Sequence, residues 1–167
     1  AHILAHFIDD PKPSFPFLCL TVSGGHTQIV LVKDYFEMEL IGQTLDDAAG
    51  EAFDKTAKIL NLPYPGGPLI DKYGQLGDPN SFQLPEPKIA DLNFSFSGLK
   101  TAILYLVQDE VKKNPNFLDE RLHDICASVQ QRIVTILLNK VKKAAKLTGV
   151  KDIAIAGGVS ANSGLRT

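Results

Sequence analysis

Two glycine pairs stand where a backbone can hold an anion. The first lies in Val22-Ser23-Gly24-Gly25-His26-Thr27-Gln28. Adjacent glycines reach positive φ and leave no Cβ in a ligand's way, and consecutive N–H groups there can form a concave nest for phosphate oxygens. The pair alone fits an ordinary hairpin turn equally well; the flanking hydroxyls of Ser23 and Thr27 tilt it towards an anion site. The second lies in Ala156-Gly157-Gly158-Val159-Ser160-Ala161-Asn162. A buried strand that ends in Gly-Gly before a helix is where open α/β sheets take ligands, although Ser160 or Asn162 capping that helix accounts for the same residues. Two such turns at the ends of two strands suit a nucleotide held between them.

Asp47, Glu51 and Asp54 recur at helical spacing and so share a face. Such carboxylates can hold a metal or a ribose hydroxyl, but from this segment alone a solvated acidic face paired with Lys55 and Lys58 is the simpler reading. His2 and His6 stand one helical turn apart, a spacing that permits joint metal coordination. The metalloprotease pattern also needs a glutamate after the first histidine, and Ile3 is there instead. Cys19 and Cys126 are far apart inside apolar stretches, so buried free thiols are expected rather than a disulfide or a zinc site.

The elements that must position these residues follow from the apolar pattern. Residues 15–22 and 27–33 predict two strands of a hairpin around the first glycine pair, and 38–44 a third strand. Residues 45–60 change to a helical period, with Asp46 and Asp47 in the first turn and Lys55 and Lys58 later, as suits the helix dipole. Residues 63–87 are rich in Pro and Gly, with helical promise only near 69–73. A short extended piece at 93–98 leads into a helix over 99–112. Residues 118–147 predict one or two long amphipathic helices ended by Gly149, and 152–156 a buried strand. That order predicts an α/β fold with a mixed sheet.

The chain has 167 residues, 44% of them apolar and spread along its length, which predicts a globular protein with a real core. Lys plus Arg number 17 against 19 for Asp plus Glu, so any nucleic-acid role must rest on a local patch or on partner subunits. No apolar run approaches the ~20 residues that span a bilayer, and no signal peptide is recognised; no membrane role and a cytoplasmic location are expected. There is no initiator Met, residues 1–7 read like the middle of a helix, and a helix starts near the other end. A piece of a longer protein is therefore expected.

Taken together, Ser23-Gly24-Gly25-His26-Thr27-Gln28, residues 46–58, Tyr64-Pro65-Gly66-Gly67-Pro68, Phe94-Ser95-Phe96-Ser97-Gly98-Leu99-Lys100-Thr101 and residues 156–162 resemble, in order and spacing, the TsaD family of tRNA threonylcarbamoyladenosine synthases. The likeness runs over essentially the whole chain. It implies the ASKHA (actin, sugar kinase, Hsp70) ribonuclease H-like fold, incomplete here. Residues 1–13 would be the tail of the first lobe and a linker, and 14–167 most of the second lobe with an insertion over about 63–147. It implies transfer of threonylcarbamoyl from threonylcarbamoyl-adenylate to the adenosine 3′ of the anticodon in tRNAs reading A-starting codons. By resemblance Thr21, Val22, Ser23, Gly24, Gly25, Asp54, Gly67, Asp71 and Asn162 bind the substrate or nucleotide, and no residue is assigned as nucleophile or base. His2 corresponds to one ligand of a divalent iron or zinc ion whose other ligands are expected outside this chain, so metal binding and turnover are not expected of the isolated piece, and His6 is no ligand. An ATP- or adenylate-type ligand, a paralogous ASKHA subunit, a small ATPase subunit and the enzyme that makes the adenylate are implied as partners. A homodimer of the piece through its cut surfaces is a further expectation.

Two other readings compete. Another ASKHA member, such as a sugar or carboxylate kinase, would need a carboxylate base, for which Asp54 is the candidate. A non-catalytic dimerising scaffold would use the opening helix and residues 118–147 as its interface.

Overall fold

The computed structural model describes residues 15–23, 25–89 and 91–157. Strand β1 (Phe17–Val22) turns into β2 (Thr27–Val32), which turns into β3 (Met38–Gln43). Four helices follow, α1 (Ala49–Ile59), α2 (Gly66–Gly74), α3 (Ser97–Lys113) and α4 (Phe117–Thr148), before β4 (Asp152–Ala156) returns to the sheet. The strand order is β3-β2-β1-β4, antiparallel at the first two pairings and parallel between β1 and β4. A parallel neighbour needs a long crossover, and here all four helices make it.

Alternation along β1 divides the sheet's two faces. Leu18, Leu20 and Val22 point into the main core with Ile29 of β2, against Ala49, Ala52, Phe53 and Ala57 of α1, Ile70 of α2, Leu99 and Ile103 of α3, and Ile125, Val129, Ile133 and Leu137 of α4. Each large apolar side chain buried this way stabilises the fold by roughly 1.5–3 kcal/mol. Phe17 and Cys19 point to the opposite face, with Val30, Val32, Ala154 and Ala156 in a smaller cluster.

The sheet is lengthened beyond β3 by the segment that precedes α3. Thr44 and Phe94 form a parallel bridge, and the N–H groups of Phe94 and Leu45 donate to Gln43 O at 3.0 Å and Phe94 O at 2.8 Å. Phe94 and Phe96 are fully buried, which explains how a short Phe-Ser-Phe-Ser stretch holds its place without a strand of its own.

Four boundaries differ from the sequence expectation. The helix predicted over 45–60 begins at Ala49, because Asp46 is engaged elsewhere. Asp46 receives Ser95 Oγ at 2.6 Å, Ser97 Oγ at 2.9 Å and the Phe96 and Ser97 N–H groups at 2.8 and 3.3 Å, so its carboxylate serves the N-terminus of α3. The helical promise at 69–73 extends back to Gly66. The helix expected over 99–112 begins two residues earlier, at Ser97. Residues 118–147 form one continuous element, bent at Arg121 (φ −119°, ψ 17°) and ended by Gly149 in the left-handed conformation.

Candidate substrate-binding site

The hairpin turn between β1 and β2 is closed by Ser23. Its N–H donates to His26 O at 2.9 Å, and its hydroxyl accepts from His26 N at 3.0 Å. Gly25 at the tip is exposed, and a Cβ placed on it would meet nothing within 4 Å. The turn is therefore closed at its base by hydrogen bonds, with Gly25 open to solvent. Gly24 lies outside the described residues.

Helix α1 is tied to this turn. Thr27 is buried, and its Oγ1 accepts the Ala49 N–H at 2.7 Å, while Ser23 O accepts the Gly50 N–H at 3.1 Å. Glu51 Oε1 takes the Ala48 N–H at 3.2 Å. Two of the N–H groups that a helix start leaves unpaired are thus spent on fixing the turn. Thr27 lay inside a recognised motif, yet its partner 22 residues away could not be read from the sequence.

The second glycine pair begins beside the first. Parallel pairing puts Ala156 opposite Thr21. Gly157 follows with φ +99°, and a Cβ there would collide with the Val22 carbonyl oxygen. Gly157 must therefore lack a side chain on two counts, conformation and space. Gly158 and Asn162 lie outside the described residues. Thr21 is half-buried on the face of Cys19, its Oγ1 3.9 Å from the Cys19 sulfur, and Val22 is buried in the main core. Of these two, Thr21 can offer a side chain and Val22 only its backbone.

Asp54 sits one helical turn beyond Gly50 on α1. Its Oδ1 accepts the Gly66 N–H at 3.1 Å and so caps α2, whose own N-cap, Pro65, has no side-chain acceptor. A Cβ on Gly66 would overlap that of Ala57, which is why α1 and α2 approach so closely here. Gly67 packs beside Phe53. Asp71 is one turn further along α2, its carboxylate 3.5 Å from Gln75 Nε2. Thr21, Val22, Ser23 and Gly25 thus gather at the sheet's end, and Asp54, Gly67 and Asp71 where α1 meets α2. Helix α1 joins the two groups.

The acidic face expected from Asp47, Glu51 and Asp54 is split. Lys55 Nζ pairs with Asp47 at 2.7 Å and Glu51 at 3.7 Å, whereas Asp54 turns to α2. Among the described residues no group of three or more His, Cys, Asp or Glu side chains could hold a metal ion, and His2 and His6 lie outside them. The described residues alone do not make up the expected metal site. Both cysteines are free and buried. Burial pushes the Cys126 thiol up to about 12. It also raises Cys19, with the Thr21 contact opposing.

Comparison with known proteins agrees with this architecture. The solved structure of component A of (R)-2-hydroxyglutaryl-CoA dehydratase from Acidaminococcus fermentans aligns with TM-score 0.51 at 18% identity, over 89% of this chain and 49% of that one. The fold is of the ASKHA class. A curated protein of Christiangramia forsetii named tRNA N6-adenosine threonylcarbamoyltransferase is 66% identical over 99% of this chain and 50% of its own length. One of the same name from Riemerella anatipestifer is 63% identical with the same coverage. The chain spans about half the length of these curated relatives. The match to the family described as TsaD, tRNA N6-adenosine threonylcarbamoyltransferase, runs over residues 1–167, and the chain belongs to that family.

Proposed function

We propose that this chain serves a tRNA threonylcarbamoyltransferase, as a portion of its second ASKHA lobe. The N6 amine of a tRNA adenosine attacks the carbonyl carbon of threonylcarbamoyl-adenylate. The bond from that carbon to the phosphate oxygen breaks, adenylate leaves and the amine loses a proton. Such a transfer needs no protein nucleophile; positioning and stabilisation of charge suffice. The observation that carries the reading is the juxtaposition of Gly157 with Val22, which brings the starts of the two glycine motifs side by side at the end of the sheet.

In this reading Thr21, Val22, Ser23, Gly24 and Gly25 line the phosphate or carboxylate end of the adenylate. Asp54, Gly67 and Asp71 receive the ribose, and Asn162 closes the second turn. Residues 1–13 belong to the first lobe and 14–167 to the second, with 63–147 as its insertion. The enzyme works in the cytoplasm with tRNA, a paralogous ASKHA subunit and a small ATPase. His2 contributes to an iron or zinc site completed by residues outside this chain; when bound, the ion supplies Lewis-acid polarisation of an acyl or phosphate oxygen.

The test is expression of the full-length gene that contains the coding sequence of this chain in cells depleted of their own threonylcarbamoyltransferase, followed by mass spectrometry of tRNA hydrolysates. Return of threonylcarbamoyladenosine is expected; hydrolysates that stay free of it would overturn the reading.

A further inference from the structure

Residues 125–151 hold six basic side chains, Arg132, Lys140, Lys142, Lys143, Lys146 and Lys151, and no acidic one. The whole chain is −2, so this is a local concentration of charge. Along α4, Arg132, Asn139, Lys143 and Lys146 follow steps of seven, four and three residues, with Lys140 and Lys142 on either side. That spacing sets Arg132, Asn139, Lys143 and Lys146 along one stripe, with Lys140 and Lys142 flanking it and the buried Leu137, Val141 and Ala144 on the far side.

The helix dipole accounts for a cation in the last turn, where Lys146 stands. It does not account for Lys140 and Lys143, which lie earlier. Lys140 Nζ donates to Ile89 O at 2.6 Å and Asp91 O at 2.9 Å, and Lys143 Nζ to Asp91 O at 3.2 Å. Carbonyls orient these ammonium groups without neutralising them. Among the described residues none of Lys140, Lys142, Lys143 and Lys146 forms an ion pair within 4.0 Å. The nearby Glu86 is already engaged by Arg132 Nη1 at 3.2 Å and Asn139 Nδ2 at 2.9 Å. A groove of about 380 Å³ opens among Glu86, Lys88, Ile89, Asn139, Lys140 and Lys143. Burial, and then the charge of Lys143, hold the Lys140 ammonium below its ordinary range, a crowding that an anion would relieve.

We propose that this face of α4 and the groove beside it form a docking surface for the phosphate backbone of RNA. The proposal deepens the tRNA-transferase reading and rests on it. Lys140 to Lys146 span about 9 Å of a rigid helix, so their charges are held in fixed register for successive phosphates. Each phosphate neutralised releases counterions, which makes the contact salt-dependent and indifferent to sequence. An acidic protein segment would meet the same charge and is separated from RNA by competition.

The test is binding of an unmodified tRNA transcript to the full chain, followed by fluorescence anisotropy over a salt series. K143E/K146E is expected to weaken binding roughly tenfold and to flatten the salt dependence by about two units of slope. K142E/K146E, which leaves the two loop-anchoring lysines in place, is expected to do likewise. K112E/K113E at the end of α3 makes the same charge change away from this face and is expected to bind nearly as the unsubstituted chain does. Unchanged affinity in both α4 variants would overturn the surface while leaving the tRNA reading standing; an equal loss in the α3 variant would do the same. Displacement of tRNA by polyglutamate as effectively as by polyuridylate would overturn it in favour of an acidic protein. An unsubstituted chain that binds no tRNA would overturn the tRNA reading, and this surface with it.

Discussion

Gly157 and Val22 touch backbone to backbone: the space that a side chain on Gly157 would fill is taken by the Val22 carbonyl oxygen. The parallel strands β1 and β4 therefore end together, with Val22 and Gly157 side by side at that edge of the sheet. G157A adds a methyl group to that closed space and forces an L-residue to φ +99°. Urea unfolding should show a loss of about 1–3 kcal/mol. G98A is the control, since no atom lies within 4 Å of the new Cβ on helix α3; it should gain roughly 0.4–1 kcal/mol.

The link between the hairpin turn and α1 rests on Thr27 Oγ1, buried and 2.7 Å from the Ala49 N–H. T27V keeps the shape and removes the acceptor, leaving that N–H unpaired in the interior, at a cost of about 1–3 kcal/mol. T27S retains the acceptor and should lose less. Equal losses in the two variants, measured by denaturant titration, would show that the methyl group rather than the hydrogen bond matters.

Asp54 separates structure from binding. D54N keeps an oxygen for the Gly66 N–H, so its melting temperature should stay close to that of the unsubstituted chain. D54A removes the cap of α2 and should cost about 0.5–2 kcal/mol. If the carboxylate also receives a ribose hydroxyl, calorimetry with an adenylate should show weaker binding in both variants. Undiminished binding in D54N would confine Asp54 to capping.

Asp46 predicts an acid-dependent term. Partial burial works against its charge, but hydrogen bonds from Ser95, Phe96 and Ser97 outweigh this and hold the carboxyl below the ordinary aspartate range. A folded-state pKa depressed in this way contributes stability above the unfolded value of about 3.9. That contribution is lost as pH falls through the lower folded value. The stability gap between the unsubstituted chain and D46N should be constant near neutrality and close progressively below about pH 4. A gap that stayed open in acid would show that the carboxylate's charge is not what holds α3.

Much of this protein was legible in its residues. Short apolar runs marked β1 and β4, β-branched apolar residues marked β2, and β3 was expected over 38–44, all to within a residue or two, because apolar runs of strand length and Gly149 at a helix end are local signals. The family, too, was carried by motifs whose order and spacing need no coordinates. Tertiary structure decided the partners. That Asp46 leaves its expected helix to cap α3 depends on the bridge between Thr44 and Phe94, residues 50 positions apart. That Asp54 serves α2, Thr27 serves α1 and Lys140 grips the turn at Ile89 and Asp91 likewise depends on which surfaces pack. Periodicity records which way a side chain faces, whereas a hydrogen bond between distant segments records what the burial of the apolar faces brings opposite it.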